Sequence, residues 1–160
     1  MNNKMEDFLK DIDDEDYEVL YVTGKTYYEE FKNKELSKNV FVEPFIDNLS
    51  GLMKDVDLIV SRAGASSLAE ITALGLPSIL IPSPYVANNH QYYNALAIKE
   101  NKAGELIEEK DLNKDILKKE INKILSDEDK YKKYKENALK LSTPDSGDII
   151  YNAIKELLEK

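Results

Sequence analysis

The residues best suited to chemistry lie between Asp57 and Asn94. The apolar run Asp57-Leu58-Ile59-Val60-Ser61 reads as a strand, and Arg62-Ala63-Gly64-Ala65-Ser66-Ser67 leads from it into a helical pattern. Small residues at such a turn let a ligand come close to the backbone. The free N–H groups of a helix start, with its dipole, favour a phosphate. Ser66 and Ser67 add hydroxyl donors, and Arg62 stands either to neutralise charge or to brace the loop. Glu70 has two readings. Ser67-Leu68-Ala69-Glu70 matches a capping box, which makes Glu70 a partner for an N-terminal amide. The other reading is a ribose ligand, as acidic residues are in other nucleotide-binding folds. Gly75 reads as the residue that closes this helix, with Pro77 preventing its continuation.

A second group follows the loop Ile81-Pro82-Ser83-Pro84-Tyr85-Val86-Ala87-Asn88-Asn89. A helix opens at Asn89 or His90, and His90, Gln91 and Asn94 share one face near its start. Neutral donors and acceptors of this kind suit sugar hydroxyls better than phosphate. The plainer reading is an exposed polar helix capped by Asn88 or Asn89. Other chemistries find little footing. There is no cysteine, so thiolate nucleophiles and cysteine-based zinc sites are excluded. His90 is the only histidine, and nothing in the sequence supplies the nucleophile and carboxylate of a triad or the partners of a metal site. Asp55-Val56-Asp57 has the D-x-D form of metal-dependent sugar transferases, but it falls between a helix end and a strand and reads as a chance match. There is no Walker A motif and no G-x-G-x-x-G.

These residues must be positioned by short strands alternating with helices. Strands are predicted at Tyr17–Thr23, Asn39–Phe45, Asp57–Ser61, Ser78–Ile81 and Ala103–Ile107. Helices are predicted at Thr26–Leu36, Asp47–Lys54, Ser66–Leu74 and His90–Lys99. The alternation indicates βαβ units, a parallel sheet and an α/β fold. In α/β sheets ligands bind at the carboxyl ends of the strands, where both groups sit. From about residue 110 the pattern becomes helical, with Leu112, Ile116, Ile121, Ile124 and Leu125 among charges that read as solvated surface. A second helix is predicted at Asp127–Leu141, and a third after Thr143 with Pro144 in its first turn. The acidic stretch Asp11, Asp13, Asp14, Glu15 and Asp16 reads as a solvated loop.

Composition narrows the function. A chain of 160 residues fits one domain, here taken as residues 1–160 with a helical part at 110–160. Lys and Arg number 22 against 31 Asp and Glu, a net charge of −9. Such a chain is a poor non-specific nucleic-acid binder, so no nucleic-acid partner is expected, and charge alone does not hold it to an anionic membrane. Any anionic ligand must be met by a local device. No apolar run is long enough for a transmembrane helix, and the first residues do not form a signal peptide.

The two groups together resemble the donor-binding half of the MurG family, UDP-N-acetylglucosamine transferases that complete lipid II on the cytoplasmic face of bacterial membranes. The resemblance rests on Asp57 through Glu70, Leu76-Pro77-Ser78-Ile79-Leu80-Ile81-Pro82, Asn88-Asn89-His90-Gln91-Tyr92-Tyr93-Asn94-Ala95, Val22-Thr23-Gly24 and Pro44-Phe45-Ile46-Asp47. It implies the C-terminal, Rossmann-like half of a GT-B fold and an inverting transfer with no metal or other cofactor. It implies that backbone near Ile46 meets uracil and that Ala65, Ser66 and Ser67 receive the diphosphate at the helix start, with Arg62, Gly64, Leu68 and Ala69 among the substrate-binding residues. Glu70 would hold the ribose, and Gln91 and Asn94, with His90 beside them, the GlcNAc hydroxyls.

Members of the family also carry an N-terminal acceptor domain with its own glycine-rich loops and the proposed base. No catalytic residue is therefore expected here, and the implied partners are UDP-GlcNAc, an acceptor domain or subunit, and through it a lipid-linked acceptor at the membrane. The family's C-terminal domain begins with a strand ending in a Gly-Gly-Ser loop, and Met1-Asn2-Asn3-Lys4 resembles the helix after that loop. The absent strand would be central. Neighbouring strands then close the gap, or the sheet is imperfect, or another chain supplies the strand. Two further readings are a soluble subunit of a split lipid-linked GlcNAc transferase and a non-catalytic nucleotide-sugar binding module.

Overall fold

The computed structural model describes residues 2–159; Met1, at the predicted start of the first helix, lies outside them. The elements in order are α1 (Asn2–Leu9), β1 (Val19–Val22), α2 (Lys25–Lys32), β2 (Val40–Glu43), α3 (Leu49–Leu52), β3 (Ile59–Ser61) and α4 (Ala65–Leu74). Then come β4 (Ser78–Leu80), a 3-10 turn at Ala87–Asn89, α5 (His90–Glu100), β5 (Gly104–Leu106), α6 (Lys114–Leu125), α7 (Glu128–Leu141) and α8 (Ser146–Leu158). All five predicted strands form, each shorter than its apolar run, and every pairing is parallel.

The strands do not make one sheet. β1 pairs with β2, and β3, β4 and β5 form a separate sheet in that order. Closure of one sheet by neighbouring strands, one of the outcomes expected above, is therefore not what occurs among the described residues.

β4 shows how the layers are built. It is central in its sheet, wholly buried, and its side chains alternate between two cores. Ile79 and Ile81 enter a first core with Met5, Phe8, Leu9, Ile12, Tyr21, Phe31, Leu117, Ile121 and Ile124. Leu80 enters a second, with Leu68, Ile71, Leu76, Ala95 and Ile98 from the α4 and α5 segments. Val19, Val40, Val42 and Val60 pack on the first core, so that core underlies both sheets. The second core covers only the three-stranded sheet. Leu20, Val22 and Phe41, on the other face of the β1–β2 ribbon, are 37%, 41% and 50% exposed.

α1 crosses beneath both sheets. Glu6 pairs with Lys34, and the Leu9 carbonyl accepts from the Ser37 N–H at 2.9 Å. On the other side Lys4 Nζ donates to the carbonyls of Glu109 and Lys110 at 2.5 and 3.1 Å.

Two surface readings change. The acidic stretch is a loop, but it is stitched to α6. Asp11 pairs with Lys114 and Lys118, Glu15 pairs with Lys118 at 3.0 Å, and the Asp13 carboxylate accepts from the Lys38 N–H. Those lysines lower the pKa of Asp11, Lys114 first. Nor are all the C-terminal charges solvated. Glu105 on β5 accepts from Lys130 at 2.9 Å and from the Tyr134 hydroxyl at 2.6 Å. Pro144 lies before α8 rather than inside it, since Asp145 is the N-cap. The apolar residues of α8, Ile149, Ile150, Ile154, Leu157 and Leu158, are exposed.

Candidate functional site

The turn after β3 leaves the start of α4 open. Gly64 is the N-cap, in extended backbone at φ −70° and ψ 144°, and it has no side chain to cap with. The first helical bond runs from the Leu68 N–H to the Gly64 carbonyl at 2.9 Å. The amides of Ala65, Ser66 and Ser67 precede that bond, at exposed residues. The capping box drops out as an explanation of Glu70. Because the helix starts at Ala65, Ser67 lies inside the first turn and Glu70 is beyond reach of the N-cap amide.

Glu70 is instead exposed and held from a neighbouring element. Ser50 Oγ on α3 donates to Glu70 Oε2 at 3.1 Å. The bond brings the loop after β2, with half-buried Ile46, beside α4. α3 is itself started by the Asn48 side chain, which accepts from the Gly51 N–H at 3.0 Å. In the same loop Phe45 is 59% exposed, with Lys25 Nζ 5.7 Å from its ring centroid.

The second group buttresses the first. Asn94 Nδ2 donates to the carbonyl of fully buried Ala63 at 3.1 Å, tying α5 to the turn. This leaves Asn94 Oδ1 as an acceptor. Gln91 Oε1 accepts from the Ser83 N–H at 2.9 Å, leaving its amide NH2 as donor. His90 is exposed, with Nδ1 2.9 Å from the Ala87 carbonyl. The predicted asparagine cap does not form. Asn89 is the N-cap of α5 but makes no side-chain cap bond, and Asn88 and Asn89 have φ of 53° and 51°. Two successive asparagines in this left-handed region are strained backbone, and such strain gathers at ligand sites.

Arg62 is a brace. Its guanidinium donates to the Ile81 carbonyl at 3.1 Å and pairs with Glu109 at 2.7 Å, linking the ends of β3 and β4 to the segment after β5. Burial raises the Glu109 carboxyl, but its hydrogen bonds and charged neighbours, Arg62 among them, bring it below the ordinary carboxylate range. The Leu68 amide is bonded to the Gly64 carbonyl and its side chain is buried. Ala69 is exposed on the next position. Sequence reasoning missed Ser50 and Glu109 because both reach the site only through tertiary structure. Two cavities, of about 580 and 450 Å³, lie elsewhere, between α5, β5 and α6 and along α2 and β2. No cluster able to hold a metal ion occurs among the described residues.

This parallel α/β layer, with an open helix start at the carboxyl end of a strand, matches the C-terminal half of a GT-B glycosyltransferase. The fold superposes on the crystal structure of Acinetobacter baumannii MurG with a TM-score of 0.77 at 20% identity, covering 87% of this chain and 41% of that one. It also superposes on the glycosyltransferase VinC in complex with dTDP, at a TM-score of 0.70, 21% identity and coverage of 86% and 32%. The description "Glycosyltransferase family 28 C-terminal domain" matches residues 1–150, and the chain belongs to that family. It is 41% identical, over its whole length, to the Bacillus cereus UDP-N-acetylglucosamine–N-acetylmuramyl-(pentapeptide) pyrophosphoryl-undecaprenol N-acetylglucosamine transferase 1. It is 43% identical over 89% of its length to the enzyme of that name, without the numeral, from Bacillus licheniformis. The chain spans 45% and 40% of these two relatives.

Proposed function

We propose that this chain binds UDP-GlcNAc as the donor half of a transferase that adds GlcNAc to lipid I and so forms lipid II. The observation that carries the reading is the uncapped start of α4, set in a chain 41% identical throughout to a transferase named for that donor. With a net charge of −9, an anionic ligand needs such a local device. The amides of Ala65, Ser66 and Ser67, with the two hydroxyls, receive the diphosphate. Glu70, steadied by Ser50, accepts from the ribose diol, and backbone at Ile46 meets uracil. The free amide of Gln91, the free oxygen of Asn94 and His90 face the sugar.

As the bond between the sugar's anomeric carbon and the diphosphate oxygen breaks, negative charge grows on that oxygen. The α4 amides are preorganised for it. Arg62 acts by holding the turn, its charge being engaged by Glu109. The base that takes the acceptor proton is supplied by the acceptor half, so this chain alone binds donor and transfers nothing. In the assembled enzyme it works at the cytoplasmic face of the membrane through that half.

Calorimetric titration with UDP-GlcNAc, against UDP-glucose and NAD, tests this. Selective binding of UDP-GlcNAc supports it. Absence of binding by a folded chain overturns it. Glu70→Ala should abolish UDP binding and leave the melting temperature unchanged.

A further inference from the structure

We propose that Lys25 is a positioning residue for the loop that receives the nucleotide base, acting through the ring of Phe45. This role rests on the donor-binding reading and adds a residue which that reading leaves idle.

The contact follows from how two strands end. Thr23, the residue after β1, is buried, and its N–H and its hydroxyl both donate to the Glu43 carbonyl at the end of β2, at 3.0 and 3.3 Å. The chain therefore leaves β1 and β2 from one clamped point. Gly24 then turns at φ 77°, a left-handed angle that favours glycine, and α2 starts at Lys25. On the other strand Pro44 and Ile46 are half-buried and Phe45 between them is exposed, the alternation of an extended segment. Lys25 and Phe45 thus stand equally far past the clamp, and Lys25 Nζ lies 5.7 Å from the Phe45 ring centroid.

No carboxylate competes for that ammonium among the described residues, where it makes neither a hydrogen bond nor an ion pair. Lys32, Lys34 and Lys130 also lie over rings, but each pairs with a carboxylate as well. The Phe45 ring is 59% exposed, so packing does little to fix it. A cation drawn to the ring's quadrupole is what holds it.

What the contact fixes is a short loop. From Pro44 the chain runs through Ile46 to Ser50, and its far end is held by the bond from Ser50 Oγ to Glu70. Lys25 holds the near end. The Ile46 N–H and carbonyl, between the two ties, have no hydrogen-bond partner among the described residues. Uracil offers a carbonyl acceptor next to an N–H donor on the edge such a pair can meet, and cytosine offers the reverse. A loop tied at both ends presents its N–H and carbonyl in one arrangement. A loop free at one end must be ordered on binding, and it tells the two bases apart less sharply.

Calorimetry with UDP and CDP tests the proposal. Lys25→Met should weaken UDP binding about two- to five-fold and leave the weaker CDP binding nearly unchanged, so the preference for UDP narrows by the same factor. Its melting temperature should match that of the parent chain. Lys25→Arg, which keeps a cation over the ring, should restore both affinity and preference. In a Phe45→Leu background Lys25→Met should have no further effect. Equal losses for UDP and CDP, a loss that persists without the Phe45 ring, or no loss at all overturns the proposal and leaves the donor reading standing. A parent chain that binds neither UDP nor UDP-GlcNAc overturns the donor reading, and this role with it.

Discussion

The start of α4 and the starts of α6 and α7 solve one problem in opposite ways. Every helix begins with amides that lack helical partners. At α6 the Asn113 side chain accepts from the Ile116 N–H at 2.9 Å, and at α7 the Asp127 carboxylate accepts from the Lys130 N–H at 2.9 Å. At α4 the equivalent position is Gly64, and the amides stay open. The same division runs through the neighbouring polar groups. On α7, Lys130 and Tyr134 are tied inward to Glu105. Around the turn the side chains keep a free group: Asn94 its oxygen, Gln91 its amide, Glu70 one carboxylate oxygen. One region uses its polar atoms for stability, and the other holds them in reserve for a ligand.

Giving α4 the cap that α6 and α7 have is the strongest way to break this contrast. The backbone of Gly64 is extended, and a Cβ there meets only Ser67 Oγ, at 3.8 Å. Gly64→Asp should therefore fit without strain, accept from the first-turn amides and raise stability by about 0.5–1 kcal/mol. The same carboxylate would face the diphosphate. Like-charge juxtaposition costs several kcal/mol, so UDP binding should fall ~100-fold or more. Calorimetry and a thermal melt on the same sample read both. A variant that melts higher and still binds UDP would remove the α4 start from the site.

The reverse experiment strikes the stabilising region. The Glu105 side chain is 13% exposed; burial raises its pKa, but the Tyr134 hydrogen bond and Lys130 outweigh that and hold it below 4.5. A lowered carboxylate contributes stability above its unfolded pKa and loses it as pH falls through the folded value. Glu105→Gln should cost about 2 kcal/mol at neutral pH. The gap to the parent chain should hold above pH 4.5 and close as pH falls below it, through the lowered value of the carboxyl. Denaturant unfolding across that range measures it, and a gap that stays constant into acid refutes the assignment. Asp127→Ala should cost less, about 1 kcal/mol, or a melting temperature lower by about 2–4 °C. Donor affinity should be unmoved by either change.

How much of this was legible in sequence follows the same line. The strands and the C-terminal helices were, because their signals are periodic and local. Gly75 closes α4 at φ 61°, as its place before Pro77 indicates. The turn was legible as chemistry through its small residues, but its cap was not. Ser67 with Glu70 has the right spacing for a box, and only the start of the helix at Ala65 shows that it does not form. Arg62 allowed two readings, and its partners Ile81 and Glu109 are brought beside it only by the order of the strands. The split sheet was legible only as a question. Which edges remain unpaired depends on where β1 and β3 settle, and no residue in either run encodes that.

The smallest effect tests the finest part of the contrast, the claim that Glu70 is aimed rather than merely present. Ser50 lies at an exposed position, and its single described hydrogen bond is to Glu70 Oε2. Ser50→Ala should leave the melting temperature unchanged and weaken UDP binding only about two- to five-fold, the worth of about 0.5–1 kcal/mol. The route is read from a double-mutant cycle with Glu70→Gln. If Ser50 acts by orienting the carboxylate toward the ribose, its removal should matter less once the carboxylate is an amide. If the loss is the same in both backgrounds, Ser50 contributes on its own account, and the carboxylate needs no help from α3.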